Sequence, residues 1–145
     1  MRHIRPFAKT RRRLGIGALM DPQISTRKSG DVTILDLQGK LTMGVGDDLL
    51  SSHLRKLVDS GSGKLVLNLE DVTQVDSSGI CTIVRTFVTL RRSGGSLKLL
   101  HPRGQVRMVL DVTRLAEAIP TFEEETQALA SFREATRSAP GASQG

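Results

Sequence analysis

An aspartate, two serines and a glycine stand together at Asp76, Ser77, Ser78 and Gly79, between an apolar run and a segment of helical periodicity. Side chains of these types at a helix start can do three kinds of chemistry. They can cap the helix by accepting hydrogen bonds from its unpaired backbone amides. A serine can act as a nucleophile, or its hydroxyl can receive a phosphate, which the positive end of the helix dipole favours. On the pattern alone, capping is the simplest interpretation and a functional serine stays an alternative.

The nucleophile interpretation needs further residues that the sequence lacks. The G-x-S-x-G elbow of serine hydrolases requires a glycine two residues before the serine, and Ser77 has Val75 there. A histidine base is also needed. His3 lies in the N-terminal segment, His53 is predicted on the polar face of a helix, and His101 directly precedes a proline. We therefore predict that the turn has no hydrolase activity.

A second enzyme motif is incomplete. The stretch "VDSGSGKL" is similar to a phosphate-binding loop, but Gly63 and Lys64 are followed by Leu65. The serine or threonine that would bind Mg²⁺ is therefore missing, and Val58 occupies the position of the first glycine. The segment is predicted to be a structural turn.

Metal and cofactor sites are not predicted either. Cys81 is the only cysteine, so no cysteine-rich zinc site and no intrachain disulfide can form. We expect Cys81 to be a small buried apolar residue. The acidic side chains at Asp47 and Asp48, and those from Glu123 to Glu125, stand at predicted helix starts, where the dipole accounts for them. We expect a protein without enzyme activity, metal or cofactor.

The charge of the chain is unevenly distributed. Residues 1–20 hold six of the 21 basic side chains and no acid, so the rest carries 15 basic and 15 acidic residues. Tyrosine and tryptophan are absent, which leaves few platforms for stacking bases. We predict no binding of nucleic acid by the folded part. A run of about 18 apolar residues is also absent, so we expect no transmembrane helix and no membrane association of the chain by itself. The single cysteine fits a reducing cytoplasm, where we expect the protein.

Segments of strand and helix character alternate along the chain. Strands are predicted over residues 23–28, 32–37, 64–69 and 97–100, with a brief last strand at Phe122. Apolar residues at helical spacing lie between and after them. The order predicts an α/β domain with a mixed, mostly parallel four- to five-stranded sheet packed with about four helices. Residues 21–137 form the domain, residues 1–20 are a flexible basic tail or a non-native extension, and residues 138–145 are predicted as a disordered tail.

The stretches "LVLNLEDVTQVDSSGICTIV" and "RRSGGSLKLL" carry a family resemblance. From Ile24 to Phe132 the chain resembles the STAS domain of bacterial anti-sigma factor antagonists. Its most specific part is the strand "LVLNLEDV" followed four residues later by "DSSGI". The "GGSLKLL" strand and the helix "VRMVLDVTRL" agree with the family in order and spacing. The resemblance implies a STAS-like single domain.

The resemblance also implies a mechanism. Unphosphorylated antagonists bind an anti-sigma factor that is usually a serine kinase, and the sigma factor is released for transcription. The kinase phosphorylates the serine after the motif aspartate, and a serine phosphatase restores the active form. That serine corresponds to Ser77. Asp76, Ser78, Gly79 and Thr42 are then expected at the partner-binding surface, and the protein is expected to be a monomer or weak dimer.

The chain departs from the family pattern at one position in particular. Antagonists often carry G-E-[IL]-D at the end of the second strand, where this chain has Gly39, Lys40, Leu41 and Thr42. Both acids are missing, which removes negative charge near Ser77 and makes a phosphate easier to hold there. The change also leaves a second function open. The domain could be a non-switching STAS subunit of a lipid-transport or stress-signalling complex that uses the same surface.

Overall fold

The computed structural model describes residues 23–142, and side chains within residues 23–44 and 48–133. Five strands form one sheet in the order β1-β2-β3-β4-β5. They are β1 Gln23–Ser29, β2 Val32–Leu41, β3 Lys64–Val75, β4 Ser96–Leu100 and β5 Thr121–Phe122. β1 and β2 are antiparallel, and every other neighbouring pair is parallel. The predicted mixed, mostly parallel sheet is therefore confirmed.

Five helices connect and follow the strands. They are α1 Val45–Asp59, α2 Ser77–Arg92, α3 Gly104–Val112, α4 Leu115–Ala118 and α5 Glu125–Ala142. The sequence predicts about four helices, and α4 is the one it misses, because four residues are too short to show a period. α5 reaches residue 142 and so enters the segment 138–145 predicted as a tail. The domain boundaries stay a prediction, and residues 1–20 lie outside the described part.

Helices α1, α2 and α3 cover one face of the sheet. Alternate residues of the central strands, such as Leu35, Leu67 and Leu99, are fully buried beneath them. The helices contribute Leu54 and Ile83 to the same core. This layer contains the larger of the two apolar clusters, and it presents the outer sides of α1 and α2 to solvent.

Helix α5 covers the other face. Its Phe132 packs in a smaller apolar cluster with Ile34 and Val66. Lys98 of β4 is buried in this layer, with its ammonium 4.8 Å from the centroid of the Phe132 ring, a cation–π contact. Burial lowers the pKa of Lys98.

Two strands are longer than their apolar runs. The sequence predicts the second strand over residues 32–37, but β2 continues to Leu41. Its register shifts at Gly39, whose φ of 94° suits glycine. β3 continues from Leu69 to Val75. Because Leu41 pairs with Val75, both strands end at the same level, directly before the Asp76 turn.

Candidate functional site

Asp76 is the N-cap of α2. Its backbone is extended, and its Oδ1 accepts hydrogen bonds from the amides of Ser78 at 2.9 Å and Gly79 at 3.2 Å. The sequence leaves Asp76, Ser77 and Ser78 as alternative caps, and the structure selects Asp76. The carboxylate also acts outside the helix, since Oδ2 accepts a hydrogen bond from the Met43 amide at 3.0 Å.

Three backbone amides therefore surround one carboxylate. The Met43 amide makes the largest contribution to lowering the pKa of Asp76, and the Gly79 and Ser78 amides lower it further. Asp76 is consequently ionised at neutral pH. A phosphate on the next residue would lie beside a fixed negative charge.

Ser77 is the first residue of α2 and is exposed to solvent, whereas Ser78 is half-buried. This geometry suits access by a modifying enzyme to Ser77. The sequence suggests that unpaired helix amides would receive a phosphate there. In the structure the amides of Ser78 and Gly79 already bond to Asp76, so a phosphate could use these two amides only by displacing that carboxylate.

Gly79 is buried where α2 meets the ends of β2 and β3. A Cβ atom at this position would lie 2.4 Å from the carbonyl oxygen of Leu41 and 2.7 Å from a methyl carbon of Val75. Only glycine permits this approach of helix to strand. Gly79 therefore sets how closely the start of α2 sits against the sheet.

The segment after β2 is part of the same site. The Asp76 amide bonds to the carbonyl of Leu41 at 3.4 Å, and Asp76 holds Met43. Thr42 lies between these two contacts and is half-buried, while the side chain of Met43 is 76% exposed. The structure thus brings Thr42 to the loop beside Asp76, Ser77, Ser78 and Gly79.

Gln105 of α3 supports the turn and is not identified from the sequence. Its Oε1 accepts a hydrogen bond from the amide of Val75 at 2.9 Å, and its Nε2 donates to the carbonyl of the same residue at 3.0 Å. The side chain replaces a strand partner at the end of β3. No local pattern marks Gln105, because its partner is 30 residues earlier.

The prediction that Cys81 is buried is wrong, because the residue is exposed. Cys81 lies one helical turn after Ser77 and therefore on the same side of α2. The sheet-facing side is formed by residues such as Gly79, Thr82, Ile83 and Thr86. The prediction used only the type of the residue, whereas the side of α2 on which Cys81 lies determines whether it is buried.

The remaining candidates for catalytic or metal chemistry do not assemble around the turn. His53 of α1 is half-buried and its Nε2 lies 3.0 Å from the Thr26 hydroxyl of β1, so it helps to attach α1 to the sheet edge. Burial and the nearby Lys56 lower the pKa of His53. Within the described residues, no three histidine, cysteine or acidic side chains form a metal-binding group. The helices of that part include none long and apolar enough to cross a membrane.

The family model of the STAS domain matches residues 23–128. The chain belongs to the STAS domain family. Among curated proteins, the STAS domain is similar to the anti-sigma F factor antagonist of Paenibacillus polymyxa. The two are 24% identical over 76% of this chain and 94% of that protein.

Solved structures agree with the family assignment. A crystal structure of a candidate anti-sigma factor antagonist from Thermotoga maritima has a TM-score of 0.72 and 25% identity, covering 76% of this chain and 94% of that one. The Bacillus cell fate determinant SpoIIAA, solved in its phosphorylated form, has a TM-score of 0.61 and 18% identity. The match with SpoIIAA covers 76% of this chain and 99% of the SpoIIAA chain. The predicted STAS-like fold is therefore confirmed.

Proposed function

We propose that this STAS domain is an anti-sigma factor antagonist. It binds an anti-sigma factor serine kinase in the cytoplasm while Ser77 is unphosphorylated, and so frees a sigma factor. The observation that carries the proposal is the exposed position of Ser77, one residue after the Asp76 cap, on a turn held by two strands and a helix. Relatives named as antagonists support the same role.

Phosphorylation would act through charge. A phosphate on Ser77 adds about −1.5 to −2 charges at neutral pH beside the ionised Asp76. The cap does not use the Ser77 side chain, since Asp76 bonds to the Ser78 and Gly79 amides. The phosphate therefore changes the surface that the partner meets while α2 stays folded. A serine phosphatase would reverse the change.

Thr42 modifies this switch. It lies in the loop held by Asp76 and carries no charge, and Lys40 at the end of β2 is exposed. In antagonists with acids at the positions of Lys40 and Thr42, a phosphate would have three carboxylates at these positions and that of Asp76. In this chain Asp76 supplies the one carboxylate among the three positions. This arrangement lowers the electrostatic cost of forming phosphoserine.

The proposal is tested with purified anti-sigma factor kinases from the same genome and ATP. We expect intact-mass spectrometry to show one added phosphate, absent in Ser77→Ala and present in Ser78→Ala, the matched control. Ser77→Ala should keep kinase binding, whereas Ser77→Asp should weaken it. Phosphate that persists in Ser77→Ala would contradict the assignment of the site.

Equal kinase affinities of wild type and Ser77→Asp would contradict the charge mechanism. Failure of every kinase to bind, together with co-purification of transport or stress-complex proteins, would favour the non-switching subunit. A pull-down from the native cell with wild type and Ser77→Ala compares the two functions directly.

A further inference from the structure

Helix α2 carries a net positive charge, which lies in its second half. It contains three arginines and no acidic residue between Ser77 and Arg92. Arg85 is exposed eight residues after Ser77, about 12 Å further along the helix axis and about 80° around it. The exposed part of α2 beyond the proposed switch is therefore positive.

Helix α1 provides the second wall of this surface. A groove of about 210 Å³ lies between α1 and α2, and its lining includes Arg55 from α1 and Arg85 from α2. Ser51 and Thr89 add hydroxyl groups, and Asp59 is the acidic side chain of the lining. Among the described side chains, neither arginine takes part in an ion pair. Two guanidinium groups from different helices are therefore available to one ligand.

We propose that the α1–α2 groove binds an acidic segment of the partner protein, with Arg55 and Arg85 as its charged contacts. This inference rests on the proposed antagonist function and names the chemistry of the partner. A guanidinium group bonds a carboxylate through two parallel hydrogen bonds, and hydroxyls at the groove walls offer further donors. The excess of positive over negative charge in the groove matches glutamate or aspartate side chains.

An acidic partner also explains why phosphate at Ser77 would end binding. Ser77 and Arg85 lie on the same helix, about 12 Å apart along its axis, so a phosphate on Ser77 would add its charge near one end of the groove. Two added negative charges would repel that segment and offset the attraction of the arginines. The switch and the positive groove are then parts of one electrostatic surface.

The first test uses the full chain and the kinase that phosphorylates Ser77. Arg55→Glu and Arg85→Glu should each weaken kinase binding, and the double variant should weaken it by about tenfold or more. Arg133→Glu is the matched control, because Arg133 is exposed on α5 at the opposite face of the sheet. The affinity of this variant for the kinase should equal that of wild type. Salt should weaken wild-type binding more than binding of the double variant.

Unchanged affinity in the double variant, with Ser77→Asp still weakening binding, would overturn the groove assignment and leave the proposed function intact. A second test does not depend on the kinase. Hexaglutamate should shift the side-chain N–H resonances of Arg55 and Arg85 in NMR spectra of the full chain, and hexalysine should not. Equal shifts with both peptides, or none with hexaglutamate, would overturn the inference.

Discussion

Asp76 joins two elements because its two carboxylate oxygens have different partners. Oδ1 caps α2 through Ser78 and Gly79, and Oδ2 holds Met43 in the segment after β2. A capping residue is predictable from the sequence, since aspartate and serine favour helix starts. The hydrogen bond to Met43 is not predictable in this way, because it joins residues 33 positions apart. The position of Thr42 beside the turn follows from that bond.

Replacing Asp76 with asparagine separates these two roles. Asparagine has one acceptor oxygen, so Asp76→Asn can cap α2 or hold Met43 but not both. We expect lower stability in urea denaturation at pH 7 and faster hydrogen exchange of the Met43 amide. The amides lower the pKa of Asp76, so its ionised form stabilises the folded state above about pH 4.

This stabilisation is lost as the pH falls through the lowered pKa of Asp76. The stability gap between wild type and Asp76→Asn should therefore shrink as the pH falls below about 4. Ser78→Ala is the control, because the Ser78 amide serves the cap without its hydroxyl. A gap that stays constant with pH would show that the charge of Asp76 does not stabilise the turn.

At the scale of elements, the sequence predicts which segments are strands and helices better than where they end. Period-2 and period-3.6 patterns locate the central strands and α2. The patterns stop at Leu69, yet β3 continues to Val75, because pairing such as that between Lys40 and Gln74 satisfies polar strand ends. Such pairing depends on the neighbouring strand, and a local pattern does not contain it.

Gln105 should control how firmly the end of β3 is held. Gln105→Ala removes both hydrogen bonds to the Val75 main chain, and we expect a loss of about 1–3 kcal/mol in the free energy of unfolding. Gln105→Glu is the sharper variant, since its carboxylate can accept from the Val75 amide but cannot donate to the carbonyl. Hydrogen exchange at Val75 should accelerate more in the alanine variant. Unchanged exchange in both variants would contradict this role.

At the scale of the whole molecule, the two faces of the sheet pack against different helices and contain different parts of the core. The face under α1, α2 and α3 holds the main core and the Ser77 turn. The other face attaches α5 through Phe132 and through Arg27 of β1, which bonds both Asp36 and Glu125. Burial alone would lower the pKa of Arg27, but the two carboxylates raise it, so the guanidinium stays charged.

Arg27 therefore offers a test of whether stability and partner binding are separable. Arg27→Ala leaves Asp36 and Glu125 close together without their cation, and we expect a loss of about 1.5–3 kcal/mol in the free energy of unfolding. Arg27→Lys keeps the positive charge and should recover part of the lost free energy of unfolding. Kinase affinity should not change in either variant, because Arg27 lies on the face opposite α2. Arg55→Glu should do the reverse and lower affinity with little effect on stability.

Thermal unfolding and kinase titration of the same samples measure both effects. A fall in affinity in folded Arg27→Ala would show that the two faces are coupled through the sheet.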